Sequence, residues 1–221
     1  MKPRAGRVRA LGTTGLKRSS VLPDVPTVSE AGVKGYEATI WLGVMVPTNT
    51  PKAVIDRLNG EIVKVVSRPD VKKAWNEQGA EPMSMNPAEF EKYLKMPNVH
   101  FGIDPEFSMK GGQVPGKVVG TYDAADINYV TEYLSRIVRE NNLPPKILVV
   151  HRFTQRGVTN FRNIKLRPEV QLVMDMDGWG HHTRKVSTYR SFIYPEPVQF
   201  TGFKIFYKND LREANSHIMA P

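Results

Sequence analysis

The sequence contains no cysteine among its 221 residues. This absence excludes disulfide scaffolds, zinc sites built on thiolates and cysteine nucleophiles. A run of about 18 apolar residues, which a membrane-spanning helix requires, is also missing. The basic N-terminal stretch "MKPRAGRVRALGTTGLKR" lacks the apolar segment of a secretory signal. These absences predict a soluble chain without a membrane span or an export signal in the sequence as given.

The signatures of several enzyme classes are missing too. There is no GxSxG, no phosphate-binding P-loop, no GxGxxG and no HExxH. Their absence argues against esterases of the α/β-hydrolase type, nucleotide sites and zinc peptidases of the HExxH class. The stretch "KGGQVPG" is glycine-rich, but it precedes an expected strand instead of a helix, so it predicts a loop.

The positive charge is spread evenly over the chain. The net charge is +9, with 15 basic and 10 acidic residues in positions 1–95 and 16 against 12 in the rest. Long Lys/Arg runs, aromatic–basic patterns and zinc-finger spacings are all missing. We therefore expect a solvated basic surface and no nucleic-acid partner.

The first part of the chain, residues 1–95, predicts short strands, a Pro-rich loop and three helices. The clearest helix is "TPKAVIDRLNGEIVKVVSRPDV", with Thr50 as N-cap and Pro51 at the first helical position. A second helix is expected to stop near Gly79, and a third to begin at Pro87 with Asn86 as its cap. The first helix carries apolar residues at three- and four-residue steps, which predicts one buried face: Val54, Ile55, Leu58, Ile62, Val65 and Val66.

This part closely resembles the C-terminal part of the Bug-type substrate-binding proteins of tripartite tricarboxylate transporters. The resemblance covers residues 4–94, and "LPDVPTVSEAG" and "TPKAVIDRLN" are its most specific runs. It implies one lobe of a two-lobed α/β receptor that binds small carboxylates in the cleft between its lobes. The family's first lobe, most of its ligand loops and its export signal lie upstream of the matching residues. The resemblance therefore implies a lobe fragment, and no ligand residue is transferred.

Residues 96–221 form a second part that predicts strands alternating with helices. The expected strands are "NVHFGIDPEF", "GKVVGTYD", "PKILVVHRF", "VQLVMDMDGW" and "VQFTGFKIFYKND". The helices are "AADINYVTEYLSRIVRENN", capped by Asp123, and "HTRKVSTYRSFIY". Near-continuous apolar strands between helices indicate a parallel sheet covered on both faces. A closed (β/α)₈ barrel needs eight strands and about 250 residues, so the sheet is predicted to be incomplete.

The second part is similar to a group of uncharacterised bacterial hypothetical proteins with (β/α)-barrel-like folds. The matching runs are "MPNVHFGIDPEFSMKGGQVPGKVVGTYDAADINYVTEYL", "LPPKILVVHRFTQRGVTN" and "VQLVMDMDGWG". Both resembled groups are exported, whereas this sequence places the chain in no compartment. The overall fold class predicted is α/β, a partial solute-binding lobe followed by an incomplete barrel-like sheet. A fused or rearranged reading frame, such as bacterial metagenomic sequence contains, would join two such parts.

Polar residues follow the expected strands at the edge where parallel α/β folds carry out chemistry. Side chains alternate along a strand, so Asp104 and Glu106 are predicted to share a face, as are Asp175 and Asp177. Asp123 and His151 end two further strands. Glycoside hydrolysis requires two carboxylates, one of them a proton donor with a raised pKa.

The sequence thus suggests a carbohydrate-active hydrolase as its main functional hypothesis. Glu106 is the candidate acid, because Phe107 and Asp104 beside it disfavour its ionised form. Asp175 or Asp177 would be the partner carboxylate, and Asp104 completes the catalytic set. The expected substrate is a small molecule or polysaccharide, for which the candidate binding residues are Trp179, His151, Asp123 and Tyr207.

Several alternatives stay open at this point. The aspartates are equally typical of turns, Asp123 of a helix cap, and His151 of a satisfied core histidine. No cofactor is required, although Asp175, Asp177, His181 and His182 could bind a divalent cation such as Mg²⁺, Ca²⁺ or Mn²⁺. The alternatives for the whole chain are a binding protein for small organic anions and a fused fragment without evolved activity. Unpaired strand edges of an incomplete barrel also predict self-association into a homo-oligomer.

Overall fold

The computed structural model describes residues 9–38, 44, 46, 50–77, 80, 87–114, 117–196, 198–206 and 209–219. The chain divides into two compact units, Met1–Asn86 and Pro87–Pro221. The division falls before the third helix, whereas the composition change suggested a boundary at residue 95. The third helix therefore belongs to the second unit.

The described residues of the first unit form two helices and a loop that local hydrogen bonds stabilise. Helix α1 spans Lys52–Ser67 and helix α2 spans Pro69–Glu77. In the loop, Thr13 and Thr27 form an isolated parallel bridge. The Thr27 backbone N–H donates to Glu30 Oε2 at 2.7 Å, and the Glu30 N–H donates to Thr27 Oγ1 at 3.0 Å. The predicted strand around residues 36–47, the expected stop at Gly79 and the cap at Asn86 lie largely or wholly outside the described residues.

Helix α1 corrects two predictions. Its N-cap is Pro51, without a side-chain hydrogen bond, so the prediction of Thr50 as cap was wrong by one residue. The predicted burial of its apolar face was also wrong for most of its members. Val66 is buried and Ile55 is half-buried, but the other four members of the stripe are exposed in this structure: Val54, Leu58, Ile62 and Val65.

The second unit is built on a four-stranded sheet, all of whose pairings are parallel. Its strands are β1 (Phe101–Ile103), β3 (Lys146–Arg152), β5 (Val170–Met176) and β6 (Phe200–Phe203), in that spatial order. A smaller parallel pair is formed by β2 (Tyr122–Asp123) and β4 (Val158–Thr159). Each new strand of the main sheet joins the same growing edge, as in a (β/α) barrel, so the predicted α/β class with an incomplete parallel sheet is confirmed.

Three helices accompany this sheet: α3 (Pro87–Leu94), α4 (Ala124–Glu140) and α5 (His182–Thr188). Helix α4 begins with Asp123 as its cap, as predicted. The structure adds a capping box, because Asp123 Oδ1 accepts from Ala125 N and Asp126 Oδ2 accepts from Asp123 N. The helical spacing of six apolar residues predicts one buried face. Tyr133 is half-buried, and the other five are buried: Ile127, Val130, Leu134, Ile137 and Val138. No helix in the described part of the chain is both long and apolar enough to cross a membrane.

Strand β3 shows how the two faces of the sheet differ. Its residues alternate between buried and half-buried, with Leu148, Val150 and Arg152 on the covered face. His151 lies on the other, less covered face. The C-terminal half of this less covered face is where the polar strand ends converge.

Two predicted strands are shorter than expected, for an identifiable reason. Strand β1 stops at Ile103, and Pro105–Phe107 form a 3₁₀ turn, so Glu106 does not lie on a strand as predicted. The stretch "GKVVGTYD" contributes only β2, outside the main sheet. The segment returns against the turn instead, since Gly120 N donates to Glu106 O at 2.8 Å. A Cβ at Gly120 would lie 2.5 Å from Ser108 O, so only glycine allows this approach.

Candidate functional site: a polar cluster at the strand ends

The candidate site lies at the C-terminal ends of the four strands of the main sheet. Strand β1 leads to Asp104 and to Glu106 in the following turn. The other three strands contribute His151, Asp175 with Asp177, and Lys204. Five of these six residues were predicted from the sequence. The structure thus brings the predicted catalytic residues to one end of one sheet.

His151 and Asp175 form a hydrogen-bonded pair. They are direct neighbours in the register of β3 and β5. The Nδ1 atom of His151 lies 3.1 Å from both carboxylate oxygens of Asp175. Burial lowers the pKa of His151, but the hydrogen bond and charge of Asp175 more than offset this, so its pKa is raised overall. Asp175 therefore orients the imidazole and favours its protonated form.

Gly102 on β1 makes room for this imidazole. A Cβ at that position would lie 3.2 Å from Nε2 of His151. The imidazole therefore lies against the backbone of β1 at Gly102. A larger residue at position 102 would displace it.

Asp177 and Lys204 form a second pair. Lys204 Nζ lies 2.8 Å from Asp177 Oδ2, and the Asp177 side chain is almost completely buried. The backbone continues the parallel pairing beyond the strands, because Lys204 N donates to Met176 O and Asp177 N donates to Arg152 O. This pairing fixes the ammonium and the carboxylate of the pair on the same sheet edge.

Asp104 and Glu106 are the two carboxyls of the cluster whose pKa is raised. For both, burial is the largest cause; the charge of Asp177 adds to it, and for Glu106 that of Asp104 does as well. Lys204 and His151 oppose these shifts without cancelling them. Asp104 Oδ1 also accepts from Glu106 N at 3.3 Å, which joins the two residues in one turn. Glu106 thus has the environment expected of a proton donor.

Lys185, a buried lysine, holds together the segments that carry the site. Lys185 of α5 donates to Asp210 Oδ2 at 2.9 Å, to Gly178 O at 2.8 Å and to Lys204 O at 2.7 Å. It therefore ties together the segments that follow β5 and β6. Lys204, Lys185 and Asp210 are not among the residues predicted from the sequence. Of these three, only Lys204 could have been found from the sequence. It lies two residues after Gly202 in the last expected strand, which is β6, so both residues face the same side of the sheet as Asp175.

Two predicted binding residues, Asp123 and Trp179, are not brought into this cluster. Asp123 caps α4 and accepts from Thr159 Oγ1 at 2.8 Å, so its role is the structural one that was left open. The ring of Trp179 is half-exposed and lies 6.0 Å from the guanidinium carbon of Arg212. Tyr207 lies outside the described residues.

The residues of the predicted cation site are separated. Asp175 pairs with His151 and Asp177 with Lys204. His181 caps α5 by accepting from Thr183 N, and His182 stacks between the rings of His181 and His217 at 4.1 and 3.8 Å. Across the described ranges, no three histidine, aspartate or glutamate side chains converge as a metal site would require. Their separate partners thus argue against a single metal centre formed by these four residues.

Comparison with known proteins places the first part of the chain. Residues 2–98 match the family described as Tripartite tricarboxylate transporter family receptor. The predicted Bug-type resemblance of residues 4–94 is confirmed. The matched segment continues through α3, so a helix of the second unit also carries receptor-like sequence.

Individual relatives give the same result. A UPF0065 protein from the tcbD-tcbE intergenic region of Pseudomonas sp. is 50% identical over 76 residues, covering 34% of this chain and 23% of that protein. A UPF0065 protein from the clcB-clcD intergenic region of Pseudomonas knackmussii is 35% identical over 78 residues, 35% of this chain and 46% of that protein. Protein BugT of Bordetella pertussis is 33% identical over 91 residues, 41% of this chain and 28% of BugT.

The chain therefore spans between about a quarter and about half of the length of these relatives. No solved structure matches it. Over residues 2–98 the match is to a receptor family, which favours the alternative hypothesis of a binding protein for small organic anions and does not support the glycosidase. The resemblance of residues 96–221 to uncharacterised barrel-like proteins stays a prediction.

Proposed function

We propose that the protein binds small organic anions, with tricarboxylates as the first class to test. The observation that carries this proposal is the match of residues 2–98 to a receptor family of tricarboxylate transporters. The excess of basic residues in positions 1–95 is compatible with an anionic ligand. The polar cluster of the second unit contains four carboxylates and would repel such a ligand, so binding is expected to involve the first part of the chain.

Isothermal titration calorimetry of the full chain with citrate tests this proposal. Trimethyl citrate is the matched control, because it keeps the carbon skeleton and removes the three charges. Sulfate at equal ionic strength controls for unspecific attraction to a basic surface. Saturable heat with citrate alone supports the proposal, whereas equal responses to citrate and sulfate contradict it. The variant Asp177→Asn should leave citrate binding unchanged.

A second candidate function is carboxylate-dependent glycoside hydrolysis in the second unit. One observation favours it: Asp104, Glu106, Asp175 and Asp177 converge at the C-terminal ends of β1 and β5. Burial first, and then the neighbouring carboxylate charges, raise the pKa of Asp104 and Glu106. Glu106 would act as the acid that protonates the leaving oxygen. Reaction at a neutral sugar would also suit a site of net negative charge.

Reducing-sugar release from soluble α- and β-glucans, xylan and mannan tests the hydrolase. Glu106→Gln removes the donated proton and keeps the shape of the side chain. Glu140→Gln, in an exposed ion pair at the end of α4, is the control. Activity lost in the first variant and kept in the second supports the hydrolase. No release by the wild-type protein, or equal release by both variants, contradicts it.

A further inference from the structure

Three carboxylates could act as partners of Glu106. Asp104 lies in the same turn as Glu106 and accepts from its backbone N–H at 3.3 Å, and the other two are engaged by other side chains. Asp175 places both of its oxygens at 3.1 Å from Nδ1 of His151. Asp177 holds the ammonium of Lys204 at 2.8 Å. Neither of these two carboxylates is left free to attack a substrate as a nucleophile. The group that could instead activate a water molecule is the remaining nitrogen of His151.

The Nε2 atom of His151 is free to accept a proton from water. Because Nδ1 faces Asp175, the neutral ring carries its proton on Nδ1 and keeps the lone pair on Nε2. That nitrogen lies over Gly102, where a Cβ would approach to 3.2 Å. Within the described part of the chain, no side chain or backbone group forms a hydrogen bond with Nε2. About a quarter of the His151 side chain is exposed, so water can reach it.

The charges around the ring favour the protonated product of such a step. Strand β1 and its turn present Asp104 and Glu106, strand β5 presents Asp175 and Asp177, and β6 presents Lys204. Four carboxyls against one ammonium stabilise an imidazolium ion. The same charges explain why the pKa of His151 is raised in spite of its burial.

We propose that His151 is the general base of the strand-end site and Asp175 its positioning residue, and that glycoside hydrolysis there inverts the anomeric carbon. This inference rests on the hydrolase function proposed above. His151 Nε2 takes a proton from water while the water oxygen forms a bond to the anomeric carbon. The bond from that carbon to the leaving oxygen breaks, and the leaving oxygen takes the proton of Glu106. One water molecule is consumed, and no oxidant or metal is required.

Stereochemistry and chemical rescue test this assignment in the full chain. Proton NMR of the first products should show the inverted anomer, since no carboxylate forms a covalent intermediate. His151→Ala should lower kcat/KM by about 10²- to 10⁴-fold, and added imidazole should restore part of the loss.

Asp175→Asn should move the acid limb of the kcat/KM profile to lower pH, because it removes the main cause that raises the pKa of His151.

Nitrogen-15 NMR of the histidines reports on the pair without requiring activity. The neutral His151 ring should carry its proton on Nδ1 in the wild-type protein. Gly102→Ala keeps both members of the pair and crowds Nε2, so it should lower activity while Nδ1 stays protonated. Gly157→Ala is its control, because a Cβ there finds no atom closer than 3.7 Å.

The possible failures can be told apart. A wild-type protein that hydrolyses no glycoside overturns the hydrolase function itself. Hydrolysis that retains configuration, or that survives His151→Ala, overturns the role of His151 and leaves the hydrolase in place. A neutral ring protonated on Nε2 overturns the pairing with Asp175. Inversion with imidazole rescue supports the whole assignment.

Discussion

At the scale of single residues, Asp104 and Asp123 occupy the same kind of position with opposite electrostatics. Each precedes a helical turn and accepts from a backbone N–H two residues later. The pKa of Asp104 is raised by burial and by the charge of Asp177. The pKa of Asp123 is lowered by hydrogen bonds from Ala125, Thr159 and Asn160. The surroundings of Asp104 thus disfavour its ionised form, whereas ionised Asp123 stabilises the start of α4.

This contrast predicts opposite effects of removing the two charges. A raised folded-state pKa means that ionised Asp104 costs stability above that pKa, and that this cost disappears as the pH falls towards the unfolded value. Asp104→Asn should therefore increase the free energy of unfolding at pH 8, by about 1 kcal/mol or less because the group is partly screened by solvent. The increase should shrink by pH 4. Urea denaturation at both pH values measures it.

Asp123→Asn is the matched variant with the reverse sign. A lowered folded-state pKa stabilises the protein above the unfolded value, and this contribution is lost as the pH falls through the folded value. The variant should unfold more easily at pH 8 and resemble the wild-type protein in strong acid. Equal destabilisation by both variants at both pH values would refute the assigned pKa directions.

The sequence predicted some of these residues and not others, for physical reasons. Asp123 was recognisable as a cap because capping depends on residues three positions apart. His151 and Asp175 were each visible at a strand end, but their pairing depends on the register of two strands separated along the chain. The Lys185–Asp210 pair was missed because long-range ion pairs leave no local pattern. The position of Lys204 on its strand was readable from the sequence, but its pairing with Asp177 on another strand was not.

At the scale of elements, α3 belongs to the receptor-like sequence but packs in the second unit. Phe90 makes an edge-on contact with Phe101 of β1, at 6.2 Å between ring centroids. Glu91 accepts a hydrogen bond from the Tyr133 hydroxyl of α4 at 2.9 Å, and Leu94 is 1% exposed. Sequence composition could not assign this helix, since its amphipathic pattern does not say which sheet it covers.

Truncating Leu94 should therefore destabilise the second unit. Leu94→Ala removes a fully buried side chain and should cost about 2–5 kcal/mol of unfolding free energy. Leu166→Ala, at a position that is 51% exposed, should stay within about 0.5 kcal/mol of the wild-type protein. The loss of the near-UV dichroism of the second unit on urea denaturation measures both. A Leu94→Ala variant as stable as Leu166→Ala would show that α3 does not contribute to this core.

Helix α1 presents the reverse case, a helix predicted as half-buried whose apolar stripe is exposed. Leu58 and Ile62 lie one turn apart on that stripe. Such a surface binds hydrophobic dyes, so the wild-type protein should enhance the fluorescence of anilinonaphthalene sulfonate. Leu58→Lys with Ile62→Lys should remove most of this enhancement and leave the helical dichroism unchanged.

The control for this experiment is Leu16→Lys, at another exposed leucine of the first unit that does not lie on α1. If all three proteins bind the dye equally, the stripe on α1 is covered in solution. The sequence could not predict the exposure of this face. Helical spacing reports that one side of a helix is apolar, but not whether a partner surface is present.

At the scale of the whole molecule, the described residues of the two units differ in how many side chains they bury. Among the described residues of the first unit, the buried ones are Thr27 and Val66. The second unit buries the apolar residues of its sheet and of α4, including Leu148, Leu172 and Leu134. The parallel sheet of the second unit was predictable from its β-branched runs. The low burial among the described residues of the first unit was not predictable, because its helices have the amphipathic pattern expected of a complete lobe.

This difference predicts uneven protection from amide hydrogen exchange. Amides in a unit with few buried contacts open locally at low cost, whereas amides of a packed sheet exchange only on wider unfolding. In exchange followed by mass spectrometry, peptides from α1 and α2 should exchange well before peptides from β3 and β5. Leu134→Ala should speed exchange of β3 and β5, which α4 contacts, and leave α1 unchanged. Equal protection of α1 and β3 would instead mean that the receptor-like unit is stabilised by contacts beyond its own core.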